Sequence, residues 1–275
     1  MKKINFSFAI LLFFYAVAIV LWKALDNIFY LFNFVYIGTS VFIGLYLMQK
    51  KNKMARHIAQ FLVGSYMFFY LGVLCNENMQ IEGFWYYLFL GVFEAAVIHY
   101  VVAKIVGPLV FGRGWCGYAC WTAMILDFLP FHVPKQEENK KLTYLRFIPL
   151  IGSFIFVVVL FWIHPSNMER IMWWSFLIGN TVYYALGISL AYYFKDNRAF
   201  CKYICPISLI QKIPSSFALV HIKQDEEKCV HCKKCDKVCP MGINISETKG
   251  SKEQRSSCIL CGECVNACPK KALHM

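Results

Sequence analysis

The chain has 275 residues, 59% of them hydrophobic, with mean hydropathy +0.49 and a net charge of +12. A water-soluble domain of this length would expose too much apolar surface, so the composition excludes an ordinary soluble protein and favours the membrane class. Beyond charge there is no nucleic-acid-binding pattern, and 28 Lys and Arg crowded into short polar stretches suit anionic lipid head groups or acidic partners.

Six apolar stretches, at 4–24, 28–48, 58–75, 84–106, 145–164 and 171–194, each approach the ~20 residues that cross a ~30 Å hydrocarbon core. The first follows Met1-Lys2-Lys3, and Ala16-Val17-Ala18 resembles a signal-peptide cleavage site. The apolar run continues through Trp22, so an uncleaved helix is expected. Lys50, Lys51, Lys53 and Arg56 fill one loop. Lys135, Lys140, Lys141 and Arg146 fill a second, and Lys195, Arg198 and Lys202 follow the last stretch. The opposite loops carry almost nothing basic except Lys23 and Arg170. Basic loops stay in the cytoplasm, which puts both termini there in a multi-pass protein of the cell membrane. Trp22, Trp85, Trp162, Trp173 and Trp174 then form an outer interfacial belt. Glu94 and His99 lie inside the fourth stretch, where an ionisable group marks a quinone or proton path or pairs with a neighbouring helix.

Two C-x3-C pairs fall on the basic side. Cys116 and Cys120 lie in "GRGWCGYACW" (112–121), and Cys201 and Cys205 lie in "FCKYICP" (200–206). Residues 84–121 and 171–206 form a loose repeat of descending helix, turn and cysteine pair. Cysteines at i and i+4 on a helical turn point the same way, but one pair is only half of a four-thiolate site. Together the four can hold one additional iron–sulfur centre, with Gly112, Gly114 and Gly117 allowing close backbone approach. Packed reduced thiols and a redox-active dithiol are the alternatives. Cys75 stands alone and is expected to be a packing residue.

The tail carries Cys229-x2-Cys232-x2-Cys235-x3-Cys239-Pro240 and then Cys258-x2-Cys261-x2-Cys264-x3-Cys268-Pro269. This is the bacterial two-cluster ferredoxin spacing, in which the fourth cysteine of each run ligates the other cluster. Cys229, Cys232, Cys235 and Cys268 are expected to hold one [4Fe-4S] cluster, and Cys258, Cys261, Cys264 and Cys239 the other. Paired zinc sites or a domain that has lost its clusters are the alternatives. No C-x-x-C-H haem motif occurs.

The strings "GRGWCGYAC" and "CKYICP" with the two-cluster tail resemble the NapH/NosR family of membrane iron–sulfur proteins, over most of residues 84–275. The resemblance implies a cytoplasmic polyferredoxin on a membrane core. Such a protein passes electrons between the quinone pool or a cytoplasmic donor and an exported reductase. Trp121 stands where the family's first motif has proline, and the chain lacks the large exported flavin-carrying domain of the longer members.

The expected fold is mainly α: a polytopic membrane bundle of about six transmembrane helices over residues 1–211, with a small α+β ferredoxin domain over 212–275. The expected function is single-electron transfer in the membrane, with no catalytic residue assigned. Expected partners are membrane lipid, a redox protein on the cytoplasmic side, and an exported reductase or flavoprotein. Lys233, Lys234 and Lys237 either steer an acidic donor or serve solubility. The alternative function is a redox-active maturation or regulatory protein for a metalloenzyme, although no convincing Met- or His-rich metal-delivery stretch is present.

Overall fold

Long apolar runs become helices because a helix satisfies every backbone polar group within its own segment. The computed structural model describes residues 2–93, 95–135 and 138–275. Helices α1 (Lys2–Leu25) and α2 (Ile28–Gln49) form a hairpin. Its turn is made by Asp26 in the left-handed region and by Asn27, whose side chain accepts from the Phe29 N–H at 2.9 Å. Gly38 and Gly44 let α2 approach its neighbours. A Cβ on either would lie 2.5 Å from Phe14 or 2.6 Å from Ala59. Helix α3 (Ala55–Ser65) continues into a π-helical segment, Tyr66–Leu74, and after α9 (Phe147–Ile163) comes α10 (Met168–Phe194). Among the described residues, five segments are long and apolar enough to cross a membrane: Ser7–Leu25, Ile28–Gln49, Ala55–Leu74, Leu142–Ile163 and Met168–Phe194. Their outward faces carry large exposed apolar side chains such as Leu12, Phe13, Phe61, Ile148 and Tyr193, as lipid contact requires.

The stretch 84–106 is not a sixth continuous span. Helix α4 (Ile81–Phe89) has nine residues, about 14 Å of rise, and stops at Gly91 with φ +69°. The chain resumes as α5 (Ala95–Tyr100), a π-helical turn Val101–Val106 and α6 (Gly107–Phe111). Summed hydropathy cannot register one left-handed glycine. The polar residues ahead of α4 fasten its start to α10. Asn78 donates to the Met172 carbonyl and to Ser175 Oγ, both at 2.9 Å. With its side-chain amide turned so that both ends find partners, Gln80 donates to Glu82 Oε1 at 2.6 Å and its oxygen faces Asn180 in mid-α10. These groups are buried, and each needs a partner there.

The two half-repeats end alike. Arg113 precedes α7 (Gly114–Tyr118) and Arg198 precedes α11 (Ala199–Tyr203). Cys120 then leads into α8 (Trp121–Leu126), and Cys205 into α12 (Pro206–Ser215). Pro206 suits the first position of a helix because its missing N–H has no partner there. Trp121, at the matching position, donates its indole N–H to Asn180 Oδ1 at 2.8 Å and so fastens α8 to α10. The tail has short helices α13 (Lys234–Lys237), α14 (Ile245–Thr248), α15 (Lys252–Ser257) and α16 (Glu263–Ala267). One antiparallel pair, β1 (Lys223–Gln224) with β2 (Leu273–His274), joins its ends.

Candidate metal centres

The tail encloses two cavities, each lined by four cysteines drawn from both runs. The first, about 390 Å³ with its mouth, is bordered by Cys229, Cys232, Cys235 and Cys268. The second, about 360 Å³, is bordered by Cys258, Cys261, Cys264 and Cys239. The backbone repeats around them. Residues two and four after each leading cysteine have positive φ, His231 and Lys233 in one run and Leu260 and Gly262 in the other. Three of these four are not glycine, so the loops hold a costly conformation to turn their thiols inward. Backbone N–H groups of Ile243, Leu260 and Ala272 donate to the sulfurs of Cys239, Cys258 and Cys268 at 3.3–3.4 Å.

All thirteen cysteines are free thiols. Burial pushes the Cys258 thiol up to about 12 and the Cys235 thiol up to about 11. Such thiols ionise when a cation enters the cavity, which is the proton release expected of metal binding. Zn–S bonds of about 2.3 Å would need sulfurs within roughly 4 Å of one another. Among the described residues no three His, Cys, Asp or Glu side chains converge to grip a single ion. Sulfurs spread around a cavity suit a multi-iron cluster instead.

The membrane-edge cysteines lie in one buried neighbourhood. Cys201 and Cys205 lie within electrostatic reach of both Cys116 and Cys120. Burial pushes Cys201 up to about 11 and raises Cys120 and Cys205 as well. Cys116 donates its S–H to Gln211 Oε1 at 3.0 Å. Buried cations surround the set. Lys104 sits 4.5 Å from the Trp115 ring centre and faces Cys120, Cys116 and Cys205. Arg113 is 4% exposed, and its Nε and Nη2 have no hydrogen-bond partner. A buried guanidinium left open on two nitrogens is costly without an anionic neighbour, and a thiolate-ligated cluster is such a group.

The pocket is locked by one buried carboxylate. Asp127 accepts from Arg56 at 2.6 Å and from Arg198 at 2.5 Å. Burial pushes the Asp127 carboxyl up, but Arg198 and Arg56 outweigh it and hold it below the usual carboxylate range. The same guanidiniums donate to the Cys116 carbonyl at 3.1 Å and the Gly117 carbonyl at 3.3 Å. Arg198 belongs to the second half-repeat, so it ties that half to the first cysteine pair. A signal for it lies in the sequence: Arg113 and Arg198 each stand three residues before the first cysteine, and Tyr118 and Tyr203 two after.

The second tail cavity docks against this pocket. Tyr118 donates to the Leu260 carbonyl at 2.8 Å, and Arg113 acts electrostatically on both Cys201 and Cys258. A Cβ on Gly117 would lie 2.5 Å from the Ile259 carbonyl oxygen, a backbone atom that cannot swing away. Gly117→Ala is therefore expected to loosen the tail from the membrane domain, at a cost of about 1–3 kcal/mol. Faster proteolytic release of the tail would register it, and a cleavage rate equal to wild type would refute the contact.

His99 packs against Trp115 with ring centres 4.9 Å apart, and its Nε2 is buried without a partner. Glu94 lies outside the described residues. Glu82, Gln80 and Asn180 are further buried polar groups, which hydropathy averaging conceals.

Residues 221–270 match the 4Fe-4S dicluster domain family. Residues 96–136 and 171–223 match the 4Fe-4S binding domain family, one segment for each C-x3-C pair. The chain is similar to two uncharacterized proteins of Methanocaldococcus jannaschii, MJ0749 and MJ0750, each at 28% identity. The first match covers 64% of this chain and 70% of that protein, the second 60% and 77%. No solved structure matches the chain. Ferredoxin-type iron–sulfur domains on a bundle of apolar helices mark an electron-transfer protein of membrane character.

Proposed function

We propose that the chain is a NapH/NosR-type subunit that relays single electrons between a cytoplasmic donor or the quinone pool and a respiratory or exported reductase. It sits in the cell membrane with both termini and the ferredoxin domain, residues 212–275, on the cytoplasmic side of the 1–211 membrane domain. The observation that carries this reading is the composition of the two tail cavities, each bordered by three cysteines of one run and the fourth of the other.

Cys229, Cys232, Cys235 and Cys268 would hold one [4Fe-4S] cluster, and Cys258, Cys261, Cys264 and Cys239 a second. Cys116, Cys120, Cys201 and Cys205 would hold a third centre. Bound iron–sulfur clusters exchange one electron at a time without making or breaking bonds to a substrate. The chain's own residues do the rest. The N–H groups of Ile243, Leu260 and Ala272 stabilise sulfur charge. Lys104 and Arg113 offset charge at the membrane-edge set, and Ile222, Ile245 and Ile259 keep water from the second cavity.

The crossed arrangement is tested by Cys239→Ser. The expected outcome is loss or conversion of the cluster assigned to Cys258, Cys261 and Cys264, with the other tail cluster kept, as followed by Mössbauer and EPR spectra of anaerobically purified protein. Damage confined to the Cys229–Cys235 cluster would overturn the ligand assignment.

A further inference from the structure

The two tail cavities differ in their walls. The second is lined by Ile, Met, Pro, Gly, Gln and Cys, with no charged side chain, and it abuts the membrane domain. The first is bordered by Lys228, Lys233, Lys234 and Lys270 and by His231, and it faces water. Cys232 is exposed at its lip, and beside it Val230 is 56% exposed.

Carboxylates neutralise only part of this rim. Lys228 pairs with Asp225, and Lys233 pairs with Glu247 at 3.3 Å. Lys234, Lys237, Lys270 and Lys271 are exposed, and among the described residues they form no ion pair. An apolar point ringed by unpaired lysines has the anatomy of a small, transient docking surface.

We propose that this rim receives an acidic, soluble one-electron carrier protein, with Val230 and Cys232 at the contact and Lys234, Lys237, Lys270 and Lys271 around it. The proposal rests on the reading of the first cysteine set as a cluster site. One electron leaves the reduced carrier and enters the group held by that set. No bond breaks, and no proton is needed for the balance. The lysines act on encounter: unlike charges brought within a Debye length, about 10 Å at 0.1 M salt, raise the association rate by orders of magnitude. The opposite entry, through the second cavity, is blocked by the membrane domain docked against it.

The test uses the full-length, cluster-loaded protein in lipid nanodiscs. A reduced, strongly acidic flavodoxin is the probe, mixed by stopped flow across a salt series. Wild type is expected to react at least about tenfold faster at ~0.02 M than at ~0.5 M salt. The variant Lys234→Glu/Lys237→Glu/Lys270→Glu/Lys271→Glu is expected to lose about 10- to 100-fold at low salt and to show no acceleration there. The control Lys50→Glu/Lys51→Glu/Lys140→Glu/Lys141→Glu changes net charge by the same amount and should stay within about threefold of wild type. Reduction by dithionite measures cluster content in each protein. A salt-independent wild-type rate, or equal losses in rim and control variants, would overturn the docking surface while the cluster reading stands. Absence of any iron–sulfur absorbance that dithionite bleaches would overturn both.

Discussion

Cys116→Ser combined with Cys201→Ser is expected to lower bound iron by about two or four atoms per chain, to the about eight that two tail clusters account for. The pair removes one thiolate from each half-repeat, and neither half has a spare: residues 84–121 and 171–206 each carry two cysteines. Serine nearly keeps the side-chain volume, so the helices should still insert into the membrane. The spectral component that disappears should differ from both tail clusters, because buried Lys104 faces this set and lines neither tail cavity. Equal iron and superimposable spectra in variant and wild type would refute the third centre. The four side chains would then be packing thiols.

Asp127→Asn should have the largest effect on stability. It leaves the Arg56 and Arg198 guanidiniums facing one another in a site where Arg198 is 1% exposed. Removing one partner of a buried ion network costs about 3–5 kcal/mol, because the remaining charge stays buried and uncompensated. The loss should appear as a lower denaturant midpoint in detergent, and the triple variant with Arg56→Gln and Arg198→Gln should recover part of it. The pH dependence has a definite sign. The folded carboxyl is held below its ordinary range, so its contribution is complete above that range and is lost as pH falls through the lower folded value. The difference from wild type should therefore be constant from about pH 5 upward and shrink in acid. A midpoint unchanged at neutral pH would show that the network holds nothing together.

The cysteine framework was legible in the sequence because cluster ligation fixes spacing: a loop that wraps three corners of a cubane leaves few ways to place its thiols. The membrane helices were legible because hydropathy sums over twenty residues. What escaped depends on single residues or on contacts across the bundle. Gly91 ends α4 through one dihedral, which no window average registers. Arg198 and Arg56 count toward a basic cytoplasmic face in the sequence, yet in the fold both meet Asp127, and Arg113 beside them is buried with two nitrogens unpartnered. Trp121 departs from the proline of the resembling family. Its reason lies 59 residues away, in the hydrogen bond to Asn180.

The split of the membrane-edge ligands, two from each half-repeat, has a mechanical meaning. Cys116 and Cys201 are separated by about 85 residues of chain. Any group bonded to both closes that length into a loop, as a cross-link does, and closing a loop of this size restricts the unfolded chain by about 4–5 kcal/mol. Iron held by all four of these cysteines would thus be a rivet between α5–α8 and α10–α12. A rivet of iron and sulfide dissolves in oxygen, so oxidative damage to such a centre would reach past the redox chemistry and slacken the bundle itself.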